Sequence, residues 1–416
     1  MININLIISI LLIFLIPSLV TGPFLPDLFL SLIGILFLVK YFTGFNNYDF
    51  NEKIKKYFYL FFTFYFFILI SSFLSNNIFH SLESSLFYFR FGIFALVIPF
   101  IINENKKILY YSLIVGTVTF LVVSVDGIYE YINGSNIFNN KAFPGRIAGL
   151  FGDEWVIGSF ISRILPVIIF LYFINFGNLN KFFNIIFFIT LIISLITIIL
   201  SGERAAYLYI IIILGSFLLI NFKNNFLKLR IPSIIFLILS ILILSLPFIL
   251  NKSTDRILSN FNTHTSLDLN TNYYLAYYNS AYEMFLDKPL LGHGAKSFRI
   301  LCDDFKNYEN GCNMHPHNTY FQLLSEVGII GFFYIFTFFI YIFFNIIKIL
   351  LKKNISNYDI CKYSLLISML LNTFPLVPTG SFFNNWLSVI YYIPIGFYLY
   401  LLAYKKDILN SNFKII

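Results

Sequence analysis

Apolar stretches long enough to cross a membrane recur along almost the whole 416-residue chain, and they decide its fold class before any motif is considered. A spanning helix needs about 20 mostly apolar residues, a rule that predicts about twelve of them. They fall over 4–20, 24–43, 57–75, 84–102, 108–126, 155–175, 182–200, 205–222, 231–250, 319–347, 363–377 and 385–404. Charged residues make up 12% of the chain, where a soluble domain carries about a quarter, so a water-soluble globule is excluded. The expected fold is all-α, a polytopic membrane helix bundle. Its first nine helices lie within 1–250, a long hydrophilic loop spans 251–318, and the last three helices with a tail occupy 319–416. Met1–Val20 lacks the basic opening of a secretory signal and reads as the first membrane helix.

The formal charge of +8 is scattered between apolar runs, so it speaks for membrane orientation and against nucleic acid. Lys53, Lys55, Lys56, Lys106, Lys107, Lys181, Lys223, Lys228, Arg230, Lys348, Lys352, Lys353, Lys362, Lys405, Lys406 and Lys414 fall in alternate connections or the tail. The turns near 21–23, 76–83 and 378–384 hold no Lys or Arg. By the positive-inside rule both termini are then cytoplasmic. The loops 127–154 and 251–318 face outward, together with His80, His264, His293, His315 and His317.

Several polar residues stand where polarity is expensive. Arg90 and Arg163 fall inside expected spans, where a charge costs at least about 2.5 to 3.5 kcal/mol on insertion scales. Arg90 either snorkels to the interface or faces a cavity; Arg163, deeper, calls for a buried partner or a cavity. Arg146 and Arg204 stand at outer helix ends, Arg204 in the short turn Ser201-Gly202-Glu203-Arg204. A guanidinium presents a rigid fork of donors suited to phosphate oxygens. The plainer alternative is an ion pair of Arg204 with Glu203, Asp153 or Glu154. Cys361 reads as a lone thiol. Cys302 and Cys312, on the outer side, read as a disulfide, with a zinc site built from Cys302, Cys312, His315 and His317 as the alternative.

The richest stretch is His315-Pro316-His317-Asn318-Thr319-Tyr320-Phe321-Gln322, followed by Glu326-Val327-Gly328-Ile329-Ile330-Gly331. Pro316 disfavours helix before it, and Thr319 with Gln322 reads as a capping box. An imidazole then sits at the membrane rim beside a helix N-terminus, a place that favours anions. Gly328 and Gly331 invite close approach of another helix, and Glu326, about two turns in, needs a partner from one. Upstream, Pro289-Leu290-Leu291-Gly292-His293-Gly294-Ala295-Lys296-Ser297-Phe298-Arg299 forms a Gly-bearing turn with two cations.

These two motifs, with R-I-A-G-L-F-G-D-E and L-S-G-E-R-A-A, resemble the O-antigen ligase and O-antigen polymerase family. The resemblance implies a C-type membrane glycosyltransferase architecture without a metal or other cofactor, set in the bacterial inner membrane with a periplasmic active site. The implied substrates are an undecaprenyl-diphosphate-linked glycan donor and a hydroxyl of lipid A–core, or of a carrier-linked glycan for a polymerase, both presented in membrane lipid. It also implies that His317 and Arg204 are the catalytic pair. Arg146, Arg299, Lys296, Arg163, Asn318 and His315 are the candidates for substrate binding around them. The family's second arginine, early in the long loop, has no counterpart at Asn272-Tyr273-Tyr274-Leu275; Arg146, Arg256 or Arg299 would have to replace it. From a different class, a transporter is also polytopic, but it places its broken helices and charges near mid-membrane.

Overall fold

A computed structural model describes residues 4–43, 51–142, 145–224 and 272–410. Among them there is helix and no strand beyond one isolated bridge, Ser135 with Lys141. The helices are α1 (Ile4–Ile13), α2 (Leu15–Ser18), α3 (Phe24–Phe42), α4 (Glu52–Phe73), α5 (Ile78–Ser85), α6 (Phe89–Glu104), α7 (Lys107–Asn133), α8 (Ile157–Ile174), α9 (Lys181–Leu200), α10 (Arg204–Asn224), α11 (Tyr273–Asp287), α12 (Phe298–Phe305), α13 (Thr319–Leu350), α14 (Asn357–Thr373), α15 (Asn385–Ala403) and α16 (Lys405–Asn410). Eight helices among the described residues are long and apolar enough to cross a membrane, or nine if α1 and α2, bent by 54°, count as one span. Pro17 denies an amide to the carbonyl of Ile13, which accounts for that bend. Two further expected segments are helical as well, α10, apolar over Arg204–Ile220, and the 17-residue α14. The segment 231–250 lies outside the described residues, as do Arg256 and His264.

Helix ends depart from the sequence reading where a charged side chain finds a partner. α14 starts at Asn357, six residues before the expected 363. The charges that made 357–362 look like loop are satisfied: Asp359 closes a capping box with Ser356 and pairs with Lys352 at 2.5 Å. α7 runs on to Asn133, where Gly134 in the left-handed conformation stops it. That extension buries Asp126 and Glu130. Asp126 accepts from the Ile137 amide, and Glu130 from those of Ala148 and Gly149, folding the 134–156 loop back onto the bundle.

The expected helix 84–102 is α6, which starts later, at Phe89, after a break at 86–88; residues 78–83, expected as an outer turn, are helical in α5. Arg90 therefore enters at the first turn of α6 and does not hang in mid-span. It forms a fork with Asp27 of α3 at 2.7 and 3.0 Å and donates to the carbonyl of Phe87. At the far ends of the same two helices Lys40 pairs with Glu104 at 2.5 Å. α3 and α6 thus run parallel, held at both ends by ion pairs.

The middle of the bundle is α8, α14 and α15, whose residues are almost all buried. Small side chains bring α14 against α8, and Ser368 donates to the carbonyl of Arg163 at 3.0 Å. At one end of the bundle Asn51 reaches the carbonyl of Ala403 and Asn175 that of Leu109. The other end gathers the loops after α4, α7, α9, α11, α12 and α14. There His80 contacts the carbonyl of Lys296, Asn385 donates to Asp27, and Thr379 donates its amide to the carbonyl of His317. We call this the histidine end, since His80, His293, His315 and His317 all lie in its connections or in short α5.

Candidate active site

α13 begins one residue after Asn318, whose side chain accepts from the amides of Tyr320 and Phe321. The expected Thr319–Gln322 capping box does not form. Asn318 caps the helix instead, while Gln322 turns its amide to Glu326 and Ser381. With its own amide donating to the carbonyl of Pro375, Asn318 anchors the turn against the 374–384 loop. That anchoring fixes His317, which adopts a left-handed backbone with φ 56°. This region is uncommon for a residue with a Cβ and is held only where the surroundings demand it. The imidazole lies 4.1 Å from that of His315, centre to centre, and against the rings of Tyr274 and Tyr277 of α11.

This setting keeps both imidazoles neutral. Burial lowers the pKa of His317 below the ordinary histidine value. His315 drops to about 3, first through burial, then through the neighbouring His317 and Arg299, offset in part by a backbone hydrogen bond with Thr379. The Asn313 side-chain amide stands 3.4 Å from Nε2 of His317, and amide nitrogens only donate, so that contact favours the tautomer with a free lone pair on Nε2.

α13 is interrupted two turns further on. Gly328 has φ 72°, and the helix breaks there, leaving backbone groups without helical partners. The Pro289–Gly294 turn supplies them: the amides of His293 and Gly294 donate to the carbonyls of Ser325 and Glu326, and that of Ile329 donates to Pro289. A Cβ on Gly292 would overlap the backbone of Glu326, and one on Gly328 the backbone of Leu290. The glycines of both motifs therefore serve one close backbone contact. The approach expected of another helix at Gly328 is made by this turn, and Gly331 faces its own helix. Glu326 bonds both the turn and, as expected, another helix, accepting from the amides of Lys296 and of Phe298, the first residue of α12. His293 is buried and tied to the carbonyl of Met284.

Arg163 is 2% exposed, and its guanidinium is shared among Ser159, Asn372, Tyr209 and Thr379 at 2.8 to 3.1 Å. Thr379 is the residue whose amide holds His317, and Tyr209 lies on α10, which Arg204 opens. One buried arginine thus joins the Arg204 helix to the histidine loop. Nearby Glu203 is held at the head of α8. It accepts from the amides of Gly158 and Ser159 at the start of α8, and burial pushes its pKa up to about 7 against the opposing charges of Arg146 and Arg163. Arg146 lies over the ring of Trp155, its Nε buried with no hydrogen-bond partner among the described residues.

On the other side of the histidines, Lys296 and Arg299 line a cleft with Asp27, His80, Glu83 and Arg90. Cys302 and Cys312 are joined in a disulfide, so the zinc alternative loses two of its ligands. No group of three or more metal-ligating side chains is assembled among the described residues.

A family model described as O-antigen ligase matches residues 189–336, from inside α9 to the middle of α13. No curated protein matches the chain. The matched segment contains Arg204, the Gly turn, both histidines and the break at Gly328. Arg146, Arg163 and the 374–384 loop lie outside it, although the structure builds them into the same end of the bundle. The sequence reading missed Thr379, Tyr209, Asn372 and the Tyr274/Tyr277 pair. Pro375 and Pro378 marked a loop there, but nothing in the sequence said that it packs on His317.

Proposed function

We propose that this chain is an O-antigen ligase-type glycosyltransferase, moving a glycan from undecaprenyl diphosphate to a sugar hydroxyl of lipid A–core on the periplasmic face of the inner membrane. The observation that carries the reading is His317 itself. It is a neutral imidazole at the mouth of α13, held by Asn318 and Thr379 and linked through Arg163 to the helix that Arg204 opens.

In this reading the acceptor hydroxyl attacks the anomeric carbon from the face opposite the diphosphate. The carbon–oxygen bond to the diphosphate breaks, and the hydroxyl proton passes to His317. One displacement of this kind inverts the anomeric centre. Arg204 and Arg146 neutralise the charge that develops on the departing diphosphate, a form of help that is often the largest catalytic contribution. Arginines suit this task here because the nearby carboxylates are already engaged: Glu203 by two amides, Glu326 by two more, Asp27 by Arg90. Asn318 and Arg163 position the histidine loop and do not touch substrate.

The test is transfer by purified protein from a carrier-linked glycan. His317→Ala is expected to lower it by about 10² to 10⁴, with the protein still folded by its elution and melting. Undiminished transfer by that variant would end the proposal. The second reading, a polymerase, differs only in the acceptor, and the same assay with a carrier-linked acceptor in place of lipid A–core distinguishes them.

A further inference from the structure

The cleft beside the histidines has a volume of about 660 Å³ and two different halves. Its rim holds Arg90, Lys296 and Arg299, faced by Asp27 and Glu83. Its foot is apolar, with Leu30, Ile35 and Leu38 of α3 opposite Ile93 of α6. Ile35 is 56% exposed, so the foot opens sideways toward lipid. From Asp27 to Leu38 the helix climbs about 16 Å, close to half of a hydrocarbon core of about 30 Å. The cleft therefore spans one leaflet, polar at the surface and apolar at depth.

The charges at the rim are not equivalent. Arg90 is committed to Asp27, which Asn385 also holds. Lys296 and Arg299 remain, and they crowd one another: burial and the Arg299 charge lower the pKa of Lys296. Nε of Arg299 is buried without a hydrogen-bond partner among the described residues. Lys296 is held with φ 56°, its amide on Glu326 and its carbonyl contacted by His80. The left-handed backbone is a strained choice for lysine. Three cations against two carboxylates leave a small positive excess, which suits a phosphate monoester of about −1.5 to −2 better than a diphosphate. Arg299 also stands near enough to His315 to act on its pKa, so a headgroup held here lies next to the histidine pair.

We propose that the Asp27–Arg90–Lys296–Arg299 cleft seats a phosphate-bearing acyl lipid, the acceptor, with its phosphate on Lys296 and Arg299 and one chain along Leu30, Leu38 and Ile93. This rests on the glycosyltransferase reading for the word acceptor, since that reading places the donor diphosphate on the Arg204 and Arg146 side. The two lipid substrates then approach His317 from opposite flanks.

Binding to the full-length protein in detergent tests this without turnover. The probes are dioctanoyl phosphatidic acid, dioctanoylglycerol, inorganic phosphate and farnesyl diphosphate, titrated by calorimetry. Phosphatidic acid is expected to bind at least about tenfold more tightly than dioctanoylglycerol or phosphate, the equivalent of one charge-assisted contact. Lys296→Ala with Arg299→Ala should weaken it by about tenfold or more and leave farnesyl diphosphate within about threefold. Ser31→Trp, which fills the cleft without removing a charge, should do the same and guards against a folding artefact. Loss of farnesyl diphosphate binding instead would make the cleft a carrier groove and overturn the proposal. So would phosphate binding as tightly as the lipid, or variants that change nothing. His317→Ala should keep phosphatidic acid binding, so transfer and cleft can fail independently.

Discussion

Two walls flank the histidine pair, and each carries arginine in a different way. On the α8, α10 and α14 side Arg163 is surrounded by neutral oxygens from Ser159, Asn372, Tyr209 and Thr379, which take four of its five donors. On the α3, α6 and α12 side Arg90 is matched by a carboxylate, while Lys296 and Arg299 face an open cleft. A buried charge is tolerated only when its donors are satisfied. The first wall meets most of them with protein and so becomes rigid. The second leaves some to whatever occupies the cleft. Arginine alone in a sequence does not say which of these it is; the count of acceptors around it does.

The sharpest way to break the comparison is to delete the saturated arginine. Arg163→Leu takes a partner from four polar groups in a site almost closed to solvent. Each buried unsatisfied group costs about 1 to 3 kcal/mol, so loss of the folded protein, or a fall in stability of at least about 3 kcal/mol, is expected. Melting followed by size-exclusion elution measures it. Lys296→Ala on the other wall should cost less than about 1 kcal/mol, since its charge is half-open to solvent. Equal stability losses at the two positions would remove the distinction between walls.

The disulfide sharpens it next. Cys302 lies on α12, three residues after Arg299, and its bridge to Cys312 ties that helix to the strand of chain leading into His315. Closing a loop of this size is worth roughly 2 to 3 kcal/mol in chain-entropy accounts. Cys302→Ser with Cys312→Ser should lower stability by about that much and loosen phosphatidic acid binding. The Arg163 wall, which touches neither cysteine, should keep its protection from amide exchange. Exchange that rises equally on both walls would show the bridge to be a global brace.

Much of this arrangement was legible in the sequence and part of it was not, for physical reasons. Apolar length located α3, α8, α9, α13 and α15 to within a few residues, because lipid leaves a spanning backbone little choice but helix. It misplaced the start of α14, because a charged residue that read as loop found a partner, and it missed α5, which is too short to register as a span. Lys352 for Asp359 and Asp27 for Arg90 are 7 and 63 positions apart. His317 stood out through its proline, its cap and its neighbours in the motif. Thr379 and Tyr209 carry no local mark at all. Their roles come from contacts over 216 and 46 positions with Arg163, which composition and spacing do not encode.

The smallest expected effect concerns acid. His315 has a pKa near 3 in the folded protein, against about 6.5 for a free histidine. Between these values the unfolded chain binds a proton that the folded chain refuses. Stability is therefore full above the free value and falls as the pH drops, by at most about 1.4 kcal/mol per unit. His315→Gln removes the titrating group, so its melting temperature should vary less between pH 6.5 and 4.5 than that of the native protein. Activity is expected to follow a different curve, since the proposed base is His317, whose pKa is also lowered by burial. The neutral imidazole persists below the ordinary histidine range, and transfer should hold its rate down past about pH 6.5 before it falls. In His315→Gln the neighbouring ring that His317 faces at 4.1 Å is gone. The acid limb should then move while the rate at neutral pH changes little, because His315 lies against the proposed base. A pH–rate profile identical in the two proteins would mean that the histidines titrate independently and that the walls meet at His317 alone.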